Sequence, residues 1–542
     1  MPERSEAVRH LVLLTAVALA VRVIGAWLVA FPPHVDSAYY TMLAEQLAAG
    51  NGFTAPALWS FLEVGGGLPS EPTLPVPSNG HWMPLTEIVS GGSMSILGAS
   101  WRAGQVPMVI LSTLLVPVTY LIGLHPWRSR RVAVLGAVLM IAAGPLFLMY
   151  PLVESFALFG VLGAITLFAS VRAVDSSRPG PWLVLAGAAA GLASLTRIDG
   201  ALLALAPATA WIMRRPLSLE SAFGGPVRAV GWGAASAGAF LLVVGPWLIR
   251  DLVVFGTAFP SPGGRMLWIR DYNEHLSISM ELSVARYLDW GPVAIIGSKL
   301  RAAVEVLGRT LGLLGGILGI FFVAGLWLAK RDRRLAPFLV YMVAMSATMV
   351  LLFTEHAPKG AFLHTAPAWL PFAMPMAIAA VGPSLRAAGR FWPFLRRTRT
   401  HRFVEVVAVM GAVVLAVGGA IGLFGQWQVR QERLEAAAGF LNAQGAPDDV
   451  LLAADPSSLY LLTAMRGVAT PFDPYETLDR VVRGYGVDWV VVVLDPGETS
   501  DPLGLWDGAT ATDINGDHPA FITDGPAFEA EGVRVFAVGS GD

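Results

Sequence analysis

The feature that most constrains the fold is a series of eleven apolar segments along the chain. An apolar segment of about 20 residues is long enough to cross the hydrocarbon core of a bilayer as a helix. Only 14% of the 542 residues are charged, whereas a soluble chain carries about 25%. The sequence therefore predicts an α-helical polytopic membrane protein. The predicted spans are residues 10–31, 104–124, 132–150, 154–171, 181–196, 199–213, 229–248, 306–329, 335–353, 364–383 and 403–424.

The basic residues predict which way the chain crosses the membrane. Twenty of the 37 lysines and arginines lie at the N-terminus or in short loops that fall on one side when the spans alternate. Short cytoplasmic loops carry an excess of Lys and Arg. We therefore expect a plasma-membrane protein with a cytoplasmic N-terminus and an extracytoplasmic C-terminal region. The first apolar segment is interpreted as an uncleaved anchor, with cleavage after Ala30 as the alternative.

Three predicted external segments are too long to be simple connections, namely residues 31–103, 249–305 and 425–542. Loops of this length are functional or disordered in most proteins. The last segment alternates strand-like and helix-like runs, and with about 110 residues it can form its own core. We expect a small α/β domain there. Its predicted strands are residues 450–455, 489–495 and 533–539, and its predicted helices are residues 456–465 and 475–484.

Residues 31–53, with the sequence FPPHVDSAYYTMLAEQLAAGNGF, place one carboxylate, Asp36, where the outer membrane surface should lie. The apolar spacing predicts a short amphipathic helix in the interface, ended by Gly50-Asn51-Gly52. In one interpretation Asp36 only caps this helix. In the other it is a general base that takes a proton from an acceptor hydroxyl, with a pKa raised by partial burial. We expect Tyr39 and Tyr40 to line the substrate site beside it.

Three further ionisable residues lie at predicted outer ends of spans. Glu154 caps the fourth segment, or it is a second acid that converges on Asp36 and holds the acceptor or a cation. Arg197 and Asp199, in the sequence TRIDG, either form an ion pair at a turn or bind an anionic lipid headgroup.

The second long external segment combines Arg250, Arg265 and Arg270 with aromatic residues. Three arginines on the outer side run against the usual charge bias, and arginine is well suited to bind phosphate. His81 and His364 are predicted external and are candidate headgroup ligands, although a lone histidine is more often structural. No HExxH motif is present, so a zinc site is only weakly supported and no metal ligand is assigned. A divalent cation is possible but not indicated.

Several kinds of chemistry are excluded. The chain has no cysteine, so disulfides, thiolate catalysis and Cys-ligated metals are absent. It contains no Walker motif and no dinucleotide-binding glycine loop. If the chain is a transferase, it would receive its activated group on the outer side, where the long external segments lie. A lipid-linked phosphate donor fits that geometry. We expect membrane lipids as partners and no nucleic acid.

Five sequence stretches together resemble the GT-C superfamily of polyprenyl-phosphate-sugar-dependent glycosyltransferases, in the branch of protein O-mannosyltransferases and lipid A aminoarabinose transferase. They are DSAYY and LAAGNGF after the first span, HWMPL, YPLVE, TRIDG, and PWLIRDLVVFGTAFP. The resemblance implies a GT-C domain over residues 1–424, followed by an extracytoplasmic α/β domain over residues 425–542. It also implies Asp36 as catalytic base, Glu154 as companion acid and Arg250 as a ligand of the lipid phosphate.

The expected function is inverting transfer of a sugar from a polyprenyl phosphate to the hydroxyl of an extracytoplasmic protein, lipid or glycan, without a cofactor. Two alternatives remain open at this point. The chain could be a transporter or flippase of lipid-linked glycans, in which the acids and arginines guide a headgroup. It could also be a non-catalytic assembly protein that binds glycans through its tail domain.

Overall fold

The structure is a computed structural model that describes residues 2–142, 144–214, 226–356, 358–513 and 515–539. Most of the predicted inner loop around residues 214–228 lies outside these ranges. The helices are α1 (Pro2–Leu28), α2 (Val35–Ala48), α3 (Leu85–Leu97), α4 (Trp101–Trp127), α5 (Arg130–Ala142), α6 (Ser155–Asp175), α7 (Pro179–Thr196), α8 (Leu205–Arg214), α9 (Pro226–Phe255), α10 (Val284–Asp289), α11 (Pro292–Leu313), α12 (Ile317–Ala329), α13 (Ala336–Ala347), α14 (Ala361–Ala388), α15 (Thr398–Gln444), α16 (Pro456–Thr463) and α17 (Tyr475–Tyr485).

The strands are short and lie in two sheets. They are β1 (Thr54–Ala55), β2 (Ala57–Leu58), β3 (Val76–Pro77), β4 (Val450–Ala453), β5 (Arg466–Ala469), β6 (Trp489–Val493), β7 (Phe528–Ala530) and β8 (Val533–Ala537). The chain divides into two compact units. The first comprises residues 1–28, 105–247 and 296–421, and the second comprises residues 29–104, 248–295 and 422–542.

Eight helices in the described part of the chain are long and apolar enough to cross a membrane, or nine if one bent pair counts as a span. That pair is α11 and α12, which meet at an angle of 112° within the predicted span 306–329. Gly315 and Gly316 separate them with φ values of 72° and 70°. Because this left-handed conformation cannot continue a right-handed helix, the span is broken. The eight helices are Glu6–Leu28, Trp101–Trp127, Ser155–Asp175, Pro179–Thr196, Val227–Phe255, Arg333–Leu352, Ala361–Ala388 and Thr398–Gln444.

The other two of the eleven predicted spans are divided into shorter pieces. In the segment 132–150, α5 ends at Ala142 and a 3₁₀ turn follows from Gly144 to Leu148. In the segment 199–213, a 3₁₀ turn precedes α8, which has 10 residues. Neither is a continuous helix of spanning length. Apolar composition alone therefore overestimated the number of uninterrupted spans.

A fully buried arginine supports the broken segment in the first unit. Arg22 of α1 donates hydrogen bonds to the carbonyl oxygens of Met140, at 3.1 Å, and Phe147, at 3.3 Å. These carbonyls lie where the helical hydrogen-bond ladder stops. Because backbone groups in a bilayer need partners from the protein, Arg22 satisfies acceptors that the broken helix leaves open. Its guanidinium also lies 4.9 Å from the Tyr150 ring centroid.

Small residues bring the helices of the first unit together. A Cβ placed on Gly163 of α6 would lie 2.3 Å from the Cβ of Ala368 in α14. A Cβ on Gly187 of α7 would lie 2.1 Å from the carbonyl oxygen of Ser236 in α9. Close approach at small residues is the usual way in which membrane helices gain packing energy. The glycines therefore fix which helices are neighbours.

The second unit contains a six-stranded sheet in the order β2-β5-β4-β6-β8-β7. The first four strands are parallel to one another, β8 is antiparallel to β6, and β7 is antiparallel to β8. The three predicted tail strands correspond to β4, β6 and β8, and the two predicted helices correspond to α16 and α17. The sequence interpretation did not include β2, which the first external loop adds to the sheet edge by pairing with β5.

Candidate functional site

Helix α2 presents Asp36 near its first turn. The chain enters it through Pro32 and Pro33, and His34 is the N-cap, with its Nδ1 accepting a 3.5 Å hydrogen bond from the Ser37 N–H. Asp36 is partly exposed, and a carboxylate is favoured at this end of a helix by the helix dipole. The helix ends at Ala48, before two glycines with positive φ, as the sequence predicts.

The prediction that α2 lies in the interface as an amphipathic helix is wrong. Its residues 37–44 are all buried, so the helix has no polar face along that stretch. It packs against α3 and α16, and Gln46 donates to the Tyr460 hydroxyl at 3.1 Å. A helix that is buried on all sides is held rigidly by its neighbours. Asp36 therefore projects from a fixed element.

Tyr39 and Tyr40 belong to an aromatic cluster under α2. The Trp82 ring lies 5.0 Å from Tyr39 in an edge contact and stacks on Tyr40 at 5.4 Å. Trp59 stacks on Trp82 at 4.1 Å. Both tyrosines are almost fully buried. They are thus placed to support the helix that carries Asp36, one turn from that residue.

The centre of this cluster is Glu63, a residue of the first external segment that the sequence analysis did not name as a candidate. Its side chain is fully buried and accepts four hydrogen bonds. One oxygen accepts from the Tyr39 hydroxyl at 2.9 Å and from the Trp59 indole at 2.7 Å. The other accepts from the Gly80 and His81 backbone N–H groups at 2.6 and 3.2 Å. Burial raises the Glu63 pKa, and the four donors oppose that shift.

Glu87 is a second buried acid in the same cluster. It accepts a 2.5 Å hydrogen bond from the Asn79 side chain, and burial raises its pKa to about 8. Its other oxygen is buried without a partner among the described residues. A carboxyl with this pKa is protonated at neutral pH. An aromatic and acidic pattern in a loop rich in Gly and Pro gives little sequence signal, which explains why both acids were missed.

Arg250 and Ser261 of the second external segment contact Ser78 and His81 of the first, beside the Glu63 cluster. Arg250 donates to the Ser78 carbonyl oxygen at 2.8 Å and pairs with Asp251 at 3.0 Å. His81 Nδ1 lies 2.6 Å from the Ser261 hydroxyl. The prediction that Arg250 and His81 bind a headgroup stays a prediction, and the structure gives each of them a partner within the protein.

Arg270 differs from the other arginines of this segment. Arg265 donates to the carbonyl oxygens of Gly66 and Met280. The Arg270 backbone N–H donates to Glu274, but its guanidinium has no hydrogen bond or ion pair among the described residues, and its Nε is buried. Tyr272, two residues after Arg270, lies close enough to Asp36 for the charge of the Asp36 carboxylate to act on its hydroxyl. Burial, followed by the Asp36 charge, raises the Tyr272 pKa to about 12.

In the first unit, the structure brings Glu154 and His364 together. Glu154 is the N-cap of α6 and accepts from the Ser155 N–H and hydroxyl at 2.7 and 2.8 Å. The capping interpretation is therefore observed. Ligand atoms of Glu154 and His364 lie within 4.8 Å of one another, and the His364 ring lies 4.7 Å from Phe156. Two residues far apart in sequence thus form one polar pair.

Arg197 and Asp199 form the ion pair of the first interpretation. The guanidinium donates two hydrogen bonds to the carboxylate, at 3.1 and 2.9 Å. This bidentate geometry fixes both side chains at the extended turn between α7 and the next 3₁₀ turn. Neutralisation by Asp199 lowers the attraction of Arg197 for a lipid anion.

Comparisons with known proteins agree with this architecture. Residues 83–256 match the family described as dolichyl-phosphate-mannose-protein mannosyltransferase. The structure is similar to ArnT from Cupriavidus metallidurans bound to undecaprenyl phosphate, with a TM-score of 0.58, 15% identity and 97% of each chain covered. No curated protein sequence matches the chain significantly.

A second similar structure is the archaeal oligosaccharyltransferase AglB from Archaeoglobus fulgidus, in complex with an inhibitory peptide and a dolichol-phosphate. Its TM-score is 0.53 at 12% identity, and the match covers 90% of this chain and 69% of that one. These comparisons give no support to the flippase alternative. The chain is therefore a multi-pass membrane protein with the fold of these glycosyltransferase structures, as the sequence resemblance predicts.

Proposed function

We propose that the chain transfers a sugar from a polyprenyl phosphate to an acceptor hydroxyl on the extracytoplasmic side, with inversion at the anomeric carbon. The match to a family of lipid-phosphate-dependent mannosyltransferases supports the reaction class. So does similarity to two structures that hold a polyprenyl phosphate. The arginine-rich short loops support a cytoplasmic N-terminus in the plasma membrane. The acceptor is a protein, a lipid or a glycan.

Asp36 is the proposed general base. Within the α2 cluster it is partly exposed, whereas Glu63 and Glu87 are fully buried and engaged in the protein interior. A base must reach the proton that it removes. Asp36 takes the proton of the acceptor hydroxyl while that oxygen forms a bond to the anomeric carbon. The bond from that carbon to the phosphate oxygen breaks on the opposite face, and its electron pair leaves with the phosphate.

The observation that carries the proposal is an arginine without a guanidinium partner among the described residues, on the external segment whose Tyr272 lies near Asp36. Tyr272 lies near Asp36, and Arg270 is two residues away with a guanidinium that no described residue binds. The leaving polyprenyl phosphate carries an additional negative charge. A positioned guanidinium stabilises such a charge in the transition state. We therefore assign the donor phosphate first to Arg270, with Arg250 in support.

Glu154 and His364 are proposed to contribute hydrogen bonds to substrate from the first unit. The glutamate is already held as a helix cap, so its orientation is fixed before substrate binds. A fixed acceptor of hydrogen bonds lowers the entropy lost on substrate binding. We expect its replacement to affect catalysis without unfolding the unit, provided that the variant side chain retains a cap oxygen, as glutamine does.

The decisive experiment is transfer by the purified full chain from a panel of labelled polyprenyl-phosphate sugars. Asp36→Asn should lower kcat by about 10²–10⁴ and leave donor binding unchanged, because a general base contributes that much. Arg270→Gln should weaken donor binding and also lower kcat, because the guanidinium is assigned to the donor phosphate. Glu45→Gln, which changes an acid nine residues further along the same helix, is the control and should remain active. Normal turnover by Asp36→Asn would refute the assignment of the base.

A further inference from the structure

The end of the first unit that carries the C-terminus of α14 contains a basic cavity of about 420 Å³. Three elements enclose it: the start of α5, the end of α14 and the segment that leads into α15. Its volume is sufficient for a phosphate group with its glycerol or similar substituent. The polar side chains at its wall are Ser129, Arg131, Arg386, Arg396, Thr398, His401 and Glu405.

The cavity has an excess of positive charge. Three arginines face one carboxylate, and that carboxylate, Glu405, is paired with Arg131. Arg386 and Arg396 make no hydrogen bond or ion pair with the described part of the chain. A Cβ placed on Gly382 would lie 3.3 Å from an Arg386 nitrogen and 3.7 Å from His401 Nδ1. Two nitrogen-bearing groups thus converge over the glycine.

The wall formed by the α14–α15 connection is rigid. His401 is buried, and its Nε2–H donates to the Leu395 carbonyl oxygen at 2.7 Å. The Thr400 hydroxyl donates to the Phe394 carbonyl oxygen at 2.9 Å. These bonds tie the 3₁₀ turn Pro393–Arg396 to the start of α15. The arginine on that turn is therefore presented by a fixed backbone, which lowers the entropy cost of binding.

The same connection exposes large aromatic side chains. Phe391, Trp392, Phe394 and Phe403 are each more than half exposed. A soluble anion site gains nothing from such neighbours, whereas aromatic residues beside arginines are typical of a segment at the membrane–water interface. The aromatic residues favour a ligand that brings acyl chains with its phosphate.

This cavity is far from His364, a proposed substrate-binding residue of the same unit. Arg386 follows His364 by 22 residues on α14, which corresponds to about 33 Å along a helix. That distance is close to the full thickness of the hydrocarbon core. The arginine-rich loops place this end in the inner leaflet, where anionic lipids attract basic residues.

We propose that this cavity binds the phosphate of an anionic phospholipid in the inner leaflet. Arg386 and Arg396 would bind the phosphate oxygens, and Phe391 and Trp392 would lie among the acyl chains. The bound lipid would join the end of α14 to α5 and α15, which the Arg131–Glu405 ion pair already links to each other. The proposal is independent of the glycosyl transfer proposed above.

The test is a titration of the delipidated full chain with phosphatidylglycerol and phosphatidylcholine, followed by native mass spectrometry. The wild type should prefer phosphatidylglycerol. Arg386→Gln/Arg396→Gln should weaken that binding by about 30-fold, the loss expected from two interfacial arginines. Gly382→Leu keeps every charge but fills the cavity, and it should weaken binding as well. Unchanged binding by the double variant would overturn the proposal.

The matched control is Arg390→Gln/Arg399→Gln, which removes two exposed arginines of the same segment that do not line the cavity. This control variant should bind phosphatidylglycerol as the wild type does. A loss of affinity equal to that of Arg386→Gln/Arg396→Gln would show that the lipid is attracted by the general positive charge of the segment and not by a specific site. Inorganic phosphate at millimolar concentration is the second arm. Full displacement of the lipid by inorganic phosphate would overturn the lipid assignment in favour of a soluble anion.

Discussion

The four hydrogen bonds to Glu63 predict the effect of the nearly isosteric substitution Glu63→Gln. All four donors point at the carboxylate, two at each oxygen. Glutamine has the same shape, but one of its terminal positions carries an NH₂ group. If the NH₂ group faces Gly80 and His81, it meets two backbone N–H groups that can only donate. If it faces Tyr39 and Trp59, the tyrosine hydroxyl can rotate to accept, but the indole cannot.

Glu63→Gln therefore leaves at least one buried donor opposite another donor. An unsatisfied buried donor costs about 1–3 kcal/mol, and the exchange of a charged acceptor for a neutral one adds to this. We expect Glu63→Gln to lower the free energy of unfolding by about 2–4 kcal/mol. Because the cluster holds α2, the variant should also lose transferase activity as its thermal stability falls.

The conflict can be relieved by a second substitution. Trp59→Phe removes the indole N–H and keeps an aromatic ring against Trp82. In Glu63→Gln/Trp59→Phe, the NH₂ group can face Tyr39 without opposing a donor. The double variant should therefore be less destabilised than the sum of the two single variants, with a coupling of about 1–2 kcal/mol.

The assay is the apparent Tm of the four proteins, purified in one detergent and followed by intrinsic fluorescence and by residual activity. Trp59→Phe alone provides the control for lost ring area. Strictly additive effects in the double variant, or a Glu63→Gln protein as stable as wild type, would refute the assignment of four donors to Glu63.

Two further predictions concern stability. Burial raises the Glu87 pKa to about 8 in the folded state. Between about pH 4.5 and 8 the folded protein therefore binds more protons than the unfolded chain. The free energy of unfolding then falls as pH rises through that window, by up to about 1.4 kcal/mol per pH unit. Glu87→Gln should remove this slope and be more stable than wild type near pH 8, and an unchanged slope in a Tm-against-pH series would contradict the burial argument. Gly163→Ala should destabilise by about 1–3 kcal/mol, because its new Cβ meets Ala368. Gly238→Ala has open space and lies within α9, so it should be neutral or slightly stabilising in the same thermal measurement.

The sequence predicted the elements whose signals are local. Period and turn residues indicated α2 with its glycine stop, and alternating apolar runs indicated the tail strands and helices to within a few residues. The same signals failed where long-range packing decides. The break at Gly315 and Gly316 packs against Ala412, which a Cβ on Gly315 would approach to within 2.4 Å. Nothing in the apolar segment itself records that neighbour.

The candidate site residues divide in the same way. Asp36, Glu154 and Arg197 could be singled out because an ionisable residue at the end of an apolar span is costly unless it is paired, hydrated or functional. Their partners were not identifiable. Tyr272 and Glu63 are ordinary residues of loop sequences, and only the fold brings one near Asp36 and the other under Tyr39. The roles of Arg250 and Arg270 could not be separated from spacing, since both follow aromatic stretches.

By itself the sequence determined the membrane class and the α/β character of the tail, because hydropathy and periodicity are properties of neighbouring residues. Only the tertiary structure decided which arginines are already satisfied, as Arg250 is by Ser78 and Asp251, and which have open donors, as Arg270 and Arg386 do among the described residues. The physical reason is that the availability of a buried or interfacial charge depends on desolvation and on hydrogen-bond partners from distant segments, and only folding brings those partners within reach.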